Sequence, residues 1–284
     1  MNPKVKISVD CICDLPRKLQ NELNISIMYF YIQTEEGRFQ DIAEVNSKGI
    51  IEYLEQGKQV RTSIASLEEY EEYFKSIKEE CNVPIIHICA AKYVSHSYEV
   101  ALQATQQIDD IYIIDSGQLS GGISIMALTA AEMAAAGADY ELILKELEIM
   151  KDKVCTSFVV DTTQYLYRNQ KVNKFIVRLC DIFPLHPILE LVDSKMCISG
   201  VCIGEMKYNI KGYVRRILKK PQTIDTDIVF IISAGCSTEF IEAIKEEVKK
   251  KVNWKQIIVN SSSATVSSNC GPGSFGVLFM RKTG

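Results

Sequence analysis

The sequence predicts an α/β protein of two lobes. The N-terminal lobe is expected to have a mostly parallel sheet with flanking helices, and the C-terminal α/β lobe a mixed or antiparallel sheet. Through the first half, short apolar runs alternate with helical patterns, and the crossover connections that this order requires join parallel strands. After residue 156, two strand patterns follow each other across a turn at residues 193–195, which predicts a hairpin. We place the lobes at residues 1–154 and 155–284.

The N-terminal lobe is expected to begin with strands at residues 4–9 and 26–32. Between them, Asp14 is predicted to cap a short helix that has Pro16 in its first turn, because proline has no N–H group to leave unpaired there. A second helix is predicted between residues 47 and 57, bounded by a serine and a glycine.

A capping box marks the start of the next helix, where Ser66 is followed three residues later by Glu69. Apolar residues recur on one face of that helix at Leu67, Tyr70, Phe74 and Ile77. Residues 85–90 and 111–114 are uniformly apolar runs, and they predict fully buried strands of a parallel sheet.

The helix predicted at residues 123–137 contains six alanines. Such a surface either lets backbones approach closely or leaves room for something that is not protein. Asp139 is expected to cap an amphipathic helix at residues 140–153. The remaining elements are predicted as strands 157–160, 188–192, 196–206, 227–232, 256–260 and 275–280, and helix 238–252.

Composition narrows the function. The 284 residues carry 32 Lys and Arg against 36 Asp and Glu, a formal charge of −4 without a basic stripe, so no nucleic-acid partner is expected. The N-terminus lacks a signal peptide, and no apolar run reaches the length of a membrane span, so we expect a cytoplasmic protein without stable membrane insertion. The ten cysteines are therefore expected to be reduced, and the one close pair, Cys11 and Cys13, predicts no metal site.

Polar loops follow several of the apolar strands. The loop that runs from Asp115 to Gly122 follows a strand and opens a helix, where unpaired N–H groups and the helix dipole favour an anion. Comparable loops follow Asp10 and precede Ser95, so the sequence predicts a ligand crevice at one edge of the sheet. No phosphate-binding loop, nucleophile elbow or zinc-protease motif is present, and we predict no catalytic residue, metal ligand or cofactor.

Seven short segments of the sequence resemble, in order and spacing, those of the DegV family. They cover nearly the whole chain: residues 10–16 (DCICDLP), 62–66 (TSIAS), 95–98 (SHSY), 115–122 (DSGQLSGG), 161–166 (DTTQYL), 186–189 (HPIL) and 271–273 (GPG). The resemblance implies a two-lobed α/β protein that binds a long-chain fatty acid. It also implies that, in some bacteria, such a protein presents the acid to a fatty-acid kinase.

The resemblance implies a set of ligand-binding residues: Thr62, Ser63, Lys92, Ser95 and Asn269. Thr62 matches a hydroxyl that contacts the carboxylate in relatives. Lys92 stands where relatives have serine, and its side chain either adds a charge-assisted hydrogen bond to the carboxylate or is a solvated surface residue.

Besides the segment of Lys92, three further segments depart from the pattern of the relatives. Ala65 replaces the usual proline, Asn269 stands where relatives have histidine, and the run Asn169-Gln170-Lys171 replaces Gly-Gly-Arg. Asparagine cannot become a cation, and lysine lacks the planar guanidinium group with which arginine binds phosphate through two hydrogen bonds. We therefore predict that this protein presents fatty acid to a kinase poorly.

The predicted function is a non-catalytic carrier that binds a long-chain fatty acid such as palmitate or oleate and acts in lipid transport or fatty-acid metabolism. One alternative is an enzyme that acts on a small carboxylate or phosphate at the loop from Asp115 to Gly122, with Asp10 or Asp115 as base or metal ligand. Another is a regulatory partner that has lost its ligand.

Overall fold

The computed structural model describes residues 3–168 and 183–282. Its strands are β1 (Lys6–Asp10), β2 (Ser26–Met28), β3 (Tyr31–Thr34), β4 (Gly37–Gln40), β5 (Arg61–Ser63), β6 (Ile85–Cys89), β7 (Ile111–Asp115), β8 (Val154–Val159), β9 (Leu185–Val192), β10 (Lys195–Ile203), β11 (Ile224–Ala234), β12 (Gln256–Ser261) and β13 (Ser274–Arg281). Its helices are α1 (Arg17–Glu22), α2 (Ser47–Glu55), α3 (Leu67–Glu80), α4 (Ser97–Ala104), α5 (Gly121–Ala135), α6 (Tyr140–Lys151), α7 (Gln164–Arg168), α8 (Met206–Ile217), α9 (Thr238–Lys251) and α10 (Ala264–Cys270).

The N-terminal part contains the predicted parallel sheet. Its four strands lie in the order β2-β1-β6-β7, and every neighbouring pair is parallel. The crossover helices that join parallel strands cover the faces of such a sheet, which agrees with the alternation in the sequence. One expectation is wrong: β7 is an edge strand, and of its five residues only Ile114 is buried.

A second, three-stranded antiparallel sheet lies beside it, in the order β4-β3-β5. The single strand predicted at residues 26–32 is in fact two strands, because β2 pairs with β1 whereas β3 pairs with β4 and β5. This small sheet was not predicted, and its strand β5 carries Thr62 and Ser63, two of the predicted ligand-binding residues.

The C-terminal part forms a six-stranded mixed sheet in the order β10-β9-β8-β13-β11-β12. Its pairs are antiparallel except for β11 and β12. The predicted hairpin is confirmed: β9 and β10 are joined at Asp193 and Ser194, whose φ angles of 49° and 63° suit a two-residue hairpin turn. Residue 206 does not end a strand as expected, because Met206 begins α8.

Two expected helix caps have different outcomes. The capping box of Ser66 and Glu69 at the start of α3 is confirmed. Asp14, by contrast, does not cap α1, because Pro16 occupies the N-cap position and Asp14 adopts a left-handed conformation with φ 56°. Its carboxyl group is directed to other partners, as described below.

The alanine-rich helix α5 lies between the two large sheets and contacts β1 on one side and β8, β11 and β13 on the other. This position explains why it is apolar on all sides. A Cβ atom on Gly121 would come within 2.8 Å of Phe230 Cβ, and one on Gly122 within 2.3 Å of Thr156 Oγ1. The small residues at the start of α5 therefore serve close packing. Residues from both sides of position 154 share this core, and the division into lobes there stays a prediction.

Among residues 3–168 and 183–282, no helix is both long enough and apolar enough to cross a membrane.

Candidate functional site

Four of the five residues that the resemblance implicates line one cavity. Thr62 and Ser63 come from β5, Ser95 from the loop before α4, and Asn269 from the last turn of α10. The cavity has a volume of about 370 Å³. Segments more than 200 residues apart in the chain thus meet around a single space.

The rest of the cavity wall is mostly apolar. It is formed by Ile12, Phe30, Ile64, Val94, Leu119, Leu166, Met196, Val266 and Cys270, with His96 and Thr265 as further polar neighbours. Leu119, Val266 and Cys270 also line a smaller void of about 40 Å³ that lies deeper, against α5 and the C-terminal sheet. The site therefore has a polar end and an apolar side that continues inward.

Backbone pairing fixes the two β5 residues at the polar end. Thr62 pairs with Ile32, and Ser63 pairs with Tyr31, in the antiparallel ladder between β5 and β3. Strand β3 follows β2, an edge strand of the parallel sheet. Pairing with β3 therefore fixes the position of the two β5 residues relative to that sheet.

The loop that carries Ser95 is fixed by a buried carboxylate. Asp10, at the end of β1, accepts hydrogen bonds from Ser97 Oγ (2.7 Å), Ala90 N–H (2.9 Å) and Tyr70 Oη (3.1 Å). Ser95 Oγ in turn accepts the N–H of Ser97 at 3.2 Å. Asp10 therefore joins β1, α3 and the start of α4, and it holds Ser95 in place.

Asp10 also forms the one metal-compatible cluster among the described residues, in which His87 and Cys89 each place a ligand atom within 4.8 Å of the others. All three side chains are buried. His87 Nε2 lies 3.3 Å from Asp10 Oδ1, and its Nδ1 lies 2.8 Å from Ser8 Oγ. Since Asp10 and His87 use their polar atoms on protein partners, the arrangement fits a structural hydrogen-bond network.

Two further buried carboxyl groups hold α10, the helix that carries Asn269. Asp14 accepts the Ser263 N–H at 2.6 Å and the hydroxyl of Ser120 at 2.5 Å. Asp41 accepts the N–H groups of Ala264 (2.7 Å) and Thr265 (2.9 Å). Burial raises the pKa of Asp14 to about 7, and burial also raises the pKa of Asp41. These carboxyl groups, from loops of the N-terminal part, fix one wall of the cavity.

The structure does not bring Lys92 into the cavity. Its side chain is exposed, and its ammonium lies 5.3 Å from the ring centre of Tyr93, whose ring is also 4.9 Å from the ammonium of Lys195. Only the backbone of Lys92 takes part in the loop structure, by donating to Asp115. The segment of Asn169, Gln170 and Lys171 lies outside the described residues.

The loop from Asp115 to Gly122 does not present its N–H groups as the expected anion cradle. Four of them have acceptors within the protein: Ser116 donates to Cys89 O, Gly117 to Asp115 Oδ1, Gln118 to Ser116 Oγ and Gly122 to Leu119 O, at 3.0 to 3.2 Å. A strand-loop-helix pattern cannot reveal such internal acceptors.

Thr265 was not among the predicted site residues, because the sequence did not predict α10. The signal available was weak: a serine run at residues 261–263 that ends at the N-cap, Ser263, whose hydroxyl accepts the N–H of Val266.

Fold and cavity together define a class: an α/β protein with a parallel N-terminal sheet, a mixed C-terminal sheet and a partly apolar cavity. The DegV family model matches residues 4–282, and this chain belongs to the DegV family.

The relatives agree with this assignment. A protein named fatty acid-binding protein, from Thermotoga maritima, is 24% identical over 281 residues, which are 96% of each chain. The structure of a DegV family protein from Thermus thermophilus, described as fatty-acid binding, has a TM-score of 0.87 at 22% identity and covers 98% of this chain and 100% of its own. A stearic acid-binding protein from Eubacterium ventriosum has a TM-score of 0.84 at 19% identity, with 98% of both chains covered.

Proposed function

We propose that this protein binds one long-chain fatty acid, such as palmitate or oleate, in the cavity that Thr62, Ser63, Ser95 and Asn269 line. The observation that carries the proposal is the cavity itself, whose mostly apolar wall includes these four polar residues and shares Leu119, Val266 and Cys270 with a smaller void. Solved structures of the same fold, from Thermus thermophilus and Eubacterium ventriosum, are described as fatty-acid binding.

The acyl chain is expected to supply most of the affinity. Burial of a sixteen-carbon chain contributes roughly 12 kcal/mol at about 0.8 kcal/mol per methylene, against an association cost of about 4 to 15 kcal/mol. The deeper void beside Leu119, Val266 and Cys270 is the proposed path for the end of the chain. The polar end then fixes the orientation of the lipid.

We propose a carrier in lipid transport or fatty-acid metabolism, not an enzyme, and we place it in the cytoplasm. Asp10 and Asp115, the residues suggested above as base or metal ligand, accept hydrogen bonds from protein N–H or hydroxyl groups. This use of both carboxylates favours structural roles for them over proton transfer.

Poor presentation to a fatty-acid kinase remains our prediction. Asn269 Nδ2 donates to Thr265 O at 2.7 Å, so its amide group helps to stabilise α10. Its neutral side chain cannot pair with the negative charge of an acyl phosphate.

Native mass spectrometry of the freshly purified protein, before and after delipidation, tests the proposal. We expect one co-purifying acyl chain per protein, which delipidation removes and added oleate restores. Protein that arrives empty and does not take up palmitate or oleate would contradict the proposal, and a bound nucleotide or metal instead would favour an enzyme.

A further inference from the structure

The polar end of the cavity is formed by uncharged groups. Besides the hydroxyls of Thr62, Ser63 and Ser95 and the amide of Asn269, Thr265 contributes a buried hydroxyl. Thr265 Oγ1 is buried beside the carboxyl of Asp41, without a hydrogen bond of good geometry to it. Its hydroxyl makes this part of the wall polar without adding a charge.

Three buried carboxyl groups are hydrogen-bonded to the segments that form this end. The carboxyl of Asp41 lies beside Thr265 and binds its N–H, and Asp14 binds Ser263 at the start of the same helix. Asp10 lies behind Ser95, through its hydrogen bond with Ser97. A lipid carboxylate in this place would add a negative charge to an apolar surrounding that already holds three carboxyl groups, and both effects favour the protonated acid.

The other titratable groups around the cavity, among the described residues, do not offset this. The imidazole of His96 is 88% exposed and faces Glu99 at 4.0 Å. Burial, followed by the nearby Asp14, raises the pKa of Cys270 to about 12, so its thiol is neutral. Four described cations lie within two positions of a lining residue, and all are exposed: Arg61, Lys92, Arg168 and Lys195.

The protein itself contains a buried carboxyl group whose donors are uncharged. Asp14 receives hydrogen bonds from Ser120 and Ser263, yet its pKa rises to about 7. For Asp14, burial therefore raises the pKa more than hydrogen bonds from neutral donors lower it.

We propose that the cavity holds its lipid with an uncharged head group, as the protonated fatty acid, and that it therefore also accepts long-chain alcohols. The inference rests on the proposed function and specifies the chemical class of its ligand. Hydroxyl groups both donate and accept hydrogen bonds. A protonated carboxyl group and an alcohol also donate and accept, so either can pair with the hydroxyls of the cavity. On binding at neutral pH, a fatty-acid carboxylate takes up one proton from the solvent.

Carbon-13 NMR of oleic acid labelled at the carboxyl carbon and bound to the full-length protein measures this protonation directly. We expect the bound carboxyl to titrate with a midpoint at pH 7 or above, compared with about 4.3 for a carboxyl group in water. Because the bound form keeps its proton, the affinity for oleic acid should be about tenfold or more weaker at pH 8 than at pH 6. The affinity for oleyl alcohol, which does not ionise, should not change between these pH values.

Two variants provide matched controls. Thr265→Val keeps the shape of the side chain and removes the hydroxyl, and it should weaken acid and alcohol alike by up to about tenfold. Lys92→Met removes the nearest exposed ammonium and should leave both affinities unchanged.

A bound carboxyl that is ionised throughout pH 6 to 9 would overturn the inference. This holds even if Lys171 is the cation that keeps the carboxyl ionised. Preference for oleate over oleyl alcohol at pH 8 would also overturn it, whereas the proposed function would stand. Failure of both ligands to bind at any pH would instead defeat the proposed function.

Discussion

The hydroxyl of Ser95 has two hydrogen-bonding tasks in the proposed site. It accepts the N–H of Ser97, which fixes the start of α4, and its own proton remains for a ligand oxygen. Thr62 lies opposite, on a strand that the backbone ladder with β3 holds in register. The two hydroxyls therefore approach the head group from separately anchored segments.

We predict that the double variant Thr62→Ala, Ser95→Ala binds oleic acid about tenfold or more weakly than the parent protein. Each lost hydrogen bond costs about 0.5 to 1.5 kcal/mol, whereas the burial of the acyl chain is unchanged. Isothermal titration calorimetry measures the change.

Ser76→Ala is a suitable control for this experiment, because Ser76 is exposed on α3 and its hydroxyl bonds only to Tyr73 O among the described groups. Unchanged affinity in the double variant would remove Thr62 and Ser95 from the site.

At the scale of elements, α5 depends on glycine at its first two positions. The start of this helix meets Phe230 on β11 and Thr156 on β8, so that a side chain at Gly121 or Gly122 has no space. The same close approach brings Leu119, just before the helix, to the deeper part of the ligand cavity.

We predict that Gly121→Ala lowers the free energy of unfolding by about 1 to 3 kcal/mol, the usual cost of overpacking a core. Gly212→Ala in α8 is the matched control, because no atom lies within 4 Å of the added Cβ atom. That change should stabilise the protein by about 0.5 to 1 kcal/mol, since alanine favours a helix more than glycine does. Equal effects of the two substitutions in urea denaturation would contradict the close packing of α5.

The elements that the sequence predicted are those with local signals. The capping box of α3, the apolar runs of β1, β6 and β7, and the hairpin of β9 and β10 each follow from a pattern within a dozen residues. The elements that form the polar end of the cavity lack such signals. Strand β5 has only three residues, Arg-Thr-Ser, and α10 consists of small and polar residues without an apolar face.

Helix α10 also depends on groups that are far away in sequence. Asp14 and Asp41, which bind its first N–H groups, precede it by more than 220 residues. A local pattern cannot contain that information, so the residues that line the cavity could be selected beforehand only through the family resemblance. Thr265, which no quoted motif includes, could not be selected at all.

For the molecule as a whole, Asp14 is a junction between its two parts. It follows the first parallel strand, accepts a hydrogen bond from Ser120 ahead of α5, and accepts another from Ser263 ahead of α10. Its backbone carbonyl also accepts from Asn260 on β12. Through its carboxyl group and its backbone carbonyl, this one buried residue connects the N-terminal sheet, the central helix and the C-terminal sheet.

This junction makes the stability of the whole molecule depend on pH. The pKa of Asp14 is about 7 in the folded protein, above its ordinary value of 3.8, so the folded state binds the proton more tightly than the unfolded state does. The resulting stabilisation is fully present below about pH 4 and is lost as pH rises through 7. Asp41 acts in the same direction, because burial raises its pKa as well.

We predict that the parent protein loses stability relative to the Asp14→Asn variant as pH rises from 4 to 8, by a few kcal/mol at most. Asparagine cannot titrate, and the other ionisable groups are common to both proteins, so the difference between their unfolding free energies isolates Asp14. Urea denaturation at half-unit pH intervals measures that difference. A difference that stays constant from pH 4 to 8 would show that Asp14 titrates normally, and it would also remove the internal comparison on which the uncharged lipid head group partly depends.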